Sequence, residues 1–438
     1  MNDYVSRIAV GFLLLSLFGC SNGGNDSSET ESTDIEASMP VASISTQAIN
    51  VRVGDRVELD GRDSSANNGQ ALSYQWSLGT VPQNSQVTLS GAESTVSSFT
   101  PDVEGTFNII LTVNNGQLDS EETSIAISAF RDMNDSYFKG VIDAEYSKSQ
   151  DKLLIAEAYP NIINIYDAQS DSNVELDLVL PPTSVSVSPN GLVAAVSHDS
   201  EITVVDVANQ SISKVISVSA PINDLAVSDN GLIYALSSVE FGIRTIDIAL
   251  AQEVDLAYNA TNEIRPGSSI RLNPFSQEVI IAYAQPKLEK YTVSGSYPRN
   301  PIAYPYTGST YPTCGNLWLS ADGARVYTQC SNIFLSNNLV YDGSFGELSA
   351  VNHATHSLTN EEVAVIPSGS KDTELQIYTD ALFTFKEAIA LPKFLYNGGV
   401  FDGHGKFVFY NTNEDQFYVI MQADESSAMV NDFGIVVY

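Results

Sequence analysis

Positive charge is what this chain has least of. Its 438 residues include only 20 Lys and Arg against 53 Asp and Glu, a net of -33. A surface this acidic repels phosphate backbones, which argues against nucleic-acid partners, and it reads first as a solvated face that keeps the protein soluble. Histidine is scarce as well: His198, His353, His356 and His404 are all there is for metal binding or proton transfer. Cysteine is limited to Cys20, Cys314 and Cys330. There is no G-x-S-x-G elbow, and the glycine-rich "NGGVFDGHGK" precedes a strand rather than opening a helix, so it is no phosphate loop. A calcium loop with alternating acidic ligands and a fixed glycine is also missing.

What is present begins with an address. After the polar "MNDYVSR" comes "IAVGFLLLSLFG", about the length of a signal-peptide core and too short for a comfortable membrane span. The run ends at Cys20. "LFGC" resembles the lipobox of bacterial lipoproteins, with Leu17 three before the cysteine, small Gly19 just before it and Cys20 as the residue to be acylated. Phe18 departs from the small residue the family prefers, and Asp3 offsets Arg7, so an ordinary secretory signal or an uncleaved anchor is the competing reading. Ser21 resembles the sorting pattern for the outer membrane. The resemblance implies a signal peptide over 1–19, palmitate-type acylation of Cys20 and a lipid anchor in the outer membrane, facing periplasm or cell surface. Acyl chains contribute about 0.8 kcal/mol per buried methylene. Residues 20–40 are rich in Ser, Asp, Glu, Asn and Gly, cannot bury a core, and make a flexible acidic tether roughly 25 Å from end to end.

Cys314 and Cys330 bracket "CGNLWLSADGARVYTQC", two apolar runs about a turn, which reads as a hairpin centred on Asp322. The two cysteines face each other across its open end. In an exported protein that predicts a disulfide.

Residues 41–130 hold short alternating runs between Gly, Asn, Asp and Pro turns, the texture of an immunoglobulin-type β-sandwich with Trp76 as its buried tryptophan. The segments "VGDRVELDGRDSS", "LSYQWSL" and "SFTPDVEGTFNIILTVNNGQLDSE" resemble the PKD domain, with Phe107 where that family usually has Tyr. The resemblance implies a spacer or weak binder of protein or carbohydrate. Calcium is the single cofactor with a candidate place, through Asp60 and Asp63 in "LDGRDSSANNG", where a self-satisfied turn is the plainer reading.

From 131 to 438 one unit recurs. Apolar strands follow turns at "KLLIAEAY", "GLVAAVSH", "GLIYALSS", "EVIIAYAQ", "RVYTQCSN", "EVAVIPSG" and "KFVFYNTN", starting 37 to 47 residues apart. A further strand follows most of them, among these "ITVVDVA", "NLVYDGS" and "FYVIMQA". Seven copies at this period predict a seven-bladed β-propeller, in which each sheet buries both faces against its neighbours. "SPNGLVAAVSHDSEITVVDVANQSI" and "SDNGLIYALSSVEFGIRTIDIALAQ" resemble the YVTN family of bacterial propellers. Ring closure has two candidates for its last outer strand, "FGIVVY" at the C-terminus and "SYFKGVI" near Ser136. The chain is thus expected to be all-β, a sandwich followed by a propeller.

No residues stand out as catalytic. His353 and His356 form H-x-x-H on a predicted strand or loop, where i and i+3 diverge, so an exposed loop pair is expected rather than a metal site. His198 and His404 occupy loop or turn positions in different blades. The tyrosine-rich stretch around Tyr297, Tyr304, Tyr306 and Tyr311 offers faces that stack on sugars or protein side chains, with loop packing as the alternative. These features favour a membrane-anchored binding or scaffolding protein that engages a protein or polysaccharide. The alternative is a lactonase-like or lyase-like enzyme acting on a sugar-derived substrate. It would show carboxylates, Arg or His converging from at least three blades at one channel mouth, whereas an envelope-assembly scaffold would present an edge that accepts a client strand.

Overall fold

The computed structural model describes residues 38–438 except 47–48, 68, 131–137, 258–263, 284–286, 295–296 and 307–309. Cys20 and the signal segment lie outside the described residues. Two regions are built, both from strands.

The first region packs a four-stranded sheet against a two-stranded one. The larger sheet runs, in order, Asn50–Arg52, Thr123–Phe130, Gly105–Asn114 and Ser73–Leu78, with its first pair parallel. Strict alternation along Gly105–Asn114 turns Phe107, Ile109, Leu111 and Val113 inward, as a half-buried strand requires. Trp76 is 3% exposed, and its indole N–H donates to the Ser94 carbonyl at 2.9 Å. Gly61 faces that ring so closely that a Cβ there would sit 3.0 Å from it.

The second region is seven sheets around an axis. Six blades have four consecutive strands each, over 141–177, 184–217, 222–257, 269–303, 317–344 and 351–390; the seventh, over 403–437, has three. The first strand of each sheet lies innermost, and from blade one to blade seven these strands neighbour one another in order. Middle strands such as Lys152–Ala158 are buried on both faces, which explains their unbroken apolar letters. Seven apolar clusters occupy the seven seams between blades. The last of them closes the ring, joining Phe138, Leu153 and Ile155 to Phe409, Tyr418, Ile420 and Phe433.

Closure corrects the register expected for the seventh copy. "KFVFYNTN" is not a second strand like "KLLIAEAY"; it lies in the innermost strand, Gly403–Tyr410, and "FYVIMQA" fills the second strand, Phe417–Ala423. The turns prove the alignment. Each first turn carries one residue with left-handed backbone, in order Asp151, Gly191, Gly231, Gln277, Gly323, Glu361 and Glu414. "FGIVVY" supplies the third strand, Phe433–Val437, and Phe138 of "SYFKGVI" makes an antiparallel bridge to Phe433 on its outer side. Both candidate segments therefore take part. In blade five "NLVYDGS" likewise belongs to the fourth strand, Tyr341–Ser344, and not the third, Asn332–Leu335. Buried inner and middle strands carry the same apolar letters, so periodicity alone cannot tell them apart.

Candidate functional site

Seven inner strands leave an axial channel. A cavity of about 310 Å³ opens within it, and every blade contributes to the lining, including Glu145 and Tyr146 from blade one, Arg271 from blade four, Trp318 from blade five, His353 from blade six and Phe409 from blade seven. Its chemistry begins at the starts of the inner strands, where three equivalent positions hold short polar side chains. Asp143 accepts the N–H groups of Ala144 at 3.0 Å and of Val185, on blade two, at 2.8 Å. Asp224 does the same with Leu225 at 2.9 Å and Ile270, on blade four, at 2.8 Å. Asn316 accepts from Leu317 at 2.9 Å. These side chains bind their own strand, and the two carboxylates also hold the next blade. Register shifts precede Asp143 and Asp224, as bulges do where a side chain must be re-aimed.

Arg271 gathers the cluster. Its Nη1 donates to Asp224 at 3.0 Å and to the Ile270 carbonyl at 2.8 Å, its Nη2 donates to Asn316 at 2.9 Å, and its Nε lies 3.9 Å from Glu145. Burial pushes the carboxyls of Asp143 and Glu145 up to about 7, against the opposing pull of the Arg271 charge. Burial raises Asp224 as well, again opposed by Arg271. Burial alone would lower the Arg271 guanidinium, but the charges of Asp224, Glu145 and Asp143 outweigh it and hold the group above its usual value. On the other wall His353 packs between Trp318 and Phe409, with ring centroids 5.2 and 4.8 Å away. Burial, reinforced by the Arg271 charge, takes the His353 imidazole down to about 3, so it stays neutral. One side of the channel is thus charged and the other aromatic.

The residues singled out from the sequence fall mostly elsewhere. Cys314 and Cys330 do form a disulfide, with Cα atoms 5.5 Å apart. Tyr304, Tyr306 and Tyr311 pack on one another, with centroids 5.2 and 4.8 Å apart, and Tyr311 stacks on Tyr341 at 3.9 Å; their faces are used in packing between blades four and five. The side chain of Tyr297 lies outside the described residues. Asp60 is clasped by the guanidinium of Arg62 at 2.6 Å. His353 and His356 are buried on the inner strand Val351–Ser357, not exposed on a loop, and they diverge: His356 accepts the Ala321 N–H and faces Asp380 at 3.1 Å. His198 is buried against Thr203. His404 is not in a loop but on the inner strand of blade seven, between Asp372 at 2.7 Å and Asp424 at 3.3 Å. Burial lowers its pKa, and the bond and charge of Asp372, then of Asp424, outweigh that and raise it. Among the described residues no three His, Cys, Asp or Glu side chains gather as a metal site.

The channel cluster itself escaped sequence reasoning. Its signal was there as an Asp or Asn at the start of inner strands in blades one, three and five, two copies apart, but Arg271 has no counterpart that periodicity could flag.

Compared with curated protein sequences, the chain matches none. The family described as "K319L-like, PKD domain" matches residues 45–128. Solved structures share the architecture of the larger part. Hydrazine synthase of Kuenenia stuttgartiensis aligns with a TM-score of 0.50 and 12% identity, covering 69% of this chain and 96% of that one. The Cps50 (Swd1) β-propeller domain of Myceliophteria thermophila gives 0.51 and 12%, covering 68% and 96%. The WD40 repeats of RRP9 give 0.51 and 9%, covering 70% and 96%. At such identities the likeness is one of fold. The chain thus joins a PKD domain to a seven-bladed β-propeller.

Proposed function

We propose that this is a lipid-anchored, extracytoplasmic binding protein whose propeller engages its partner at the axial channel, with the PKD domain as spacer or accessory binder. The observation that carries the reading is the cavity of about 310 Å³ lined from all seven blades, charged on one wall and aromatic on the other. Its size falls at the small end of the range of about 300–1,000 Å³ usual for ligand sites. The Cys314–Cys330 disulfide supports an oxidising compartment. The lipobox ending at Cys20 supports acylation and the outer membrane as address, and the net charge of -33 favours a protein or polysaccharide partner over nucleic acid. A photo-crosslinking residue placed at Tyr146 in intact cells should capture the partner, while the same residue at exposed Leu250, on an outer turn, should not. Palmitate-analogue labelling should be lost in Cys20→Ser. Equal capture at both positions would sink the channel as the site, and undiminished labelling would sink the anchor.

A second reading, the enzyme, has in its favour the mark expected of it, charged side chains from three blades meeting in one channel. Carboxyls from two blades and a guanidinium from a third converge in the channel, and those of Asp143 and Glu145 stand at about 7, the range useful for proton transfer. In a lactonase-like or lyase-like enzyme Glu145 would serve as the base. Turnover of a lactone or uronide panel by purified protein, lost in Glu145→Gln, would favour it over binding.

A further inference from the structure

We infer that the channel binds an organic cation, an amine whose charged end pairs with Glu145 and whose apolar body lies against Tyr146, Trp318 and Phe409. The inference rests on the channel being a binding site and names what that site takes. Charge balance is the first reason. Three carboxyl groups, Asp143, Glu145 and Asp224, surround one guanidinium, and His353 is too deeply buried among rings to add a second positive charge. Arg271 is also occupied: its Nη atoms are spent on Asp224, Asn316 and the Ile270 carbonyl, leaving little for an incoming anion. Glu145 is the opposite case. Its side chain is 27% exposed in the cavity lining, and Arg271, whose Nε lies 3.9 Å away, is the positive group that acts on it, while Asp143 and Asp224 add like charges.

The aromatic wall is the second reason. Cations bind aromatic faces through the ring quadrupole, by about 0.5–2 kcal/mol according to how far they are desolvated. A carboxylate in the same cavity lining as Tyr146, Trp318 and Phe409 combines that attraction with an ion pair. Trp318 adds a third observation: it lines the cavity, and its indole N–H, shielded from solvent, has no acceptor among the described residues.

The chain has two tryptophans, and Trp76 is sealed in the sandwich core, so emission from Trp318 reports the channel. Full-length protein is titrated with three probes of one shape, phenylethanolamine (cation), phenylethanediol (neutral) and mandelate (anion), following fluorescence and calorimetry. The cation should bind at least tenfold tighter than the other two. Glu145→Gln should abolish that preference, while Glu145→Asp, which keeps the charge, should retain part of it. Circular dichroism checks that both variants fold. Tighter binding of mandelate, or an unchanged preference in Glu145→Gln, overturns the cation inference while leaving the channel a binding site. No response to any probe also overturns it, and the channel reading then stands or falls on capture at Tyr146.

Discussion

Blades two and seven are built from the same kind of unit and held in different ways. Blade two is four consecutive strands over 184–217, each hydrogen-bonded to the next in sequence. Blade seven has three consecutive strands, and its outer side is met by Phe138, which lies almost 300 residues before Phe433 in sequence. Its first turn is fastened on both sides as well. Glu414 accepts from Ser357 and Thr359 of blade six, both at 2.8 Å, and pairs with Lys148 of blade one. A local blade is stabilised by contacts its own stretch of chain can make, whereas the closing blade depends on chain ends that meet only after the other six are in place. Loop-closure entropy is the reason the ring needs such a fastening.

The largest test of this difference is Phe433→Ala. Loss of a buried Phe costs about 3–5 kcal/mol, and here it also removes the ring's seam, so urea unfolding should show a far larger loss than the ~0.5–1.5 kcal/mol expected for Ile216→Val in blade two. Equal losses would mean that the seam is no different from any other blade. Reduction of Cys314–Cys330 comes next. With a sequence separation of 16 between the cysteines, the loop-entropy account gives about 3 kcal/mol, and removal of the bridge by Cys→Ser at both positions should lower the melting temperature without opening the seam.

Glu414→Gln is a smaller and pH-dependent test. Burial would raise this carboxyl, but Lys148, Thr359 and Ser357 hold it down at about 2. A depressed pKa contributes stability that is full above about 4.5 and is lost as pH falls through about 2, so wild type should lose stability over that window and Glu414→Gln should not. Smallest, and opposite in sign, is Glu145→Gln. Its carboxyl is raised to about 7 by burial, so the ionised form disfavours the fold above pH 7 and the penalty disappears as pH falls toward 4.5. The variant should melt higher than wild type at pH 8, with the gap closing by pH 5. A gap that widened in acid would contradict the desolvation of Glu145 in the channel.

Much of the fold was legible. Continuous apolar runs after turns with Asn-Gly or Asp-Gly, as at Gly191, Gly231 and Gly323, mark hairpins by local chemistry, and their period marks blades. Trp76 and the corner at Phe107 were legible for the same reason: an isolated aromatic between alternating strands has one place to go. Legibility failed where the letters were degenerate. Lys406 and its neighbours read as a middle strand because an inner strand of blade seven is equally buried. The tyrosines at 304, 306 and 311 left a ligand surface and loop packing both open, and only the structure shows that their nearest partners are one another and Tyr341. The candidate site was the least visible part. Asp143, Glu145, Asp224 and Arg271 span about 130 positions and look like unremarkable strand letters in a chain rich in acid.

Composition and periodicity by themselves determined a strand-built protein with one sandwich, seven repeated sheets and a disulfide hairpin, because turns, alternation and hairpin pairing are short-range consequences of residue type. Tertiary structure alone decided which strands face the axis, how the two ends of the propeller meet at Phe138 and Phe433, and that carboxyls from two blades share one guanidinium. Those outcomes depend on ring geometry, which brings residues far apart in sequence into a low-dielectric channel where charge must be balanced.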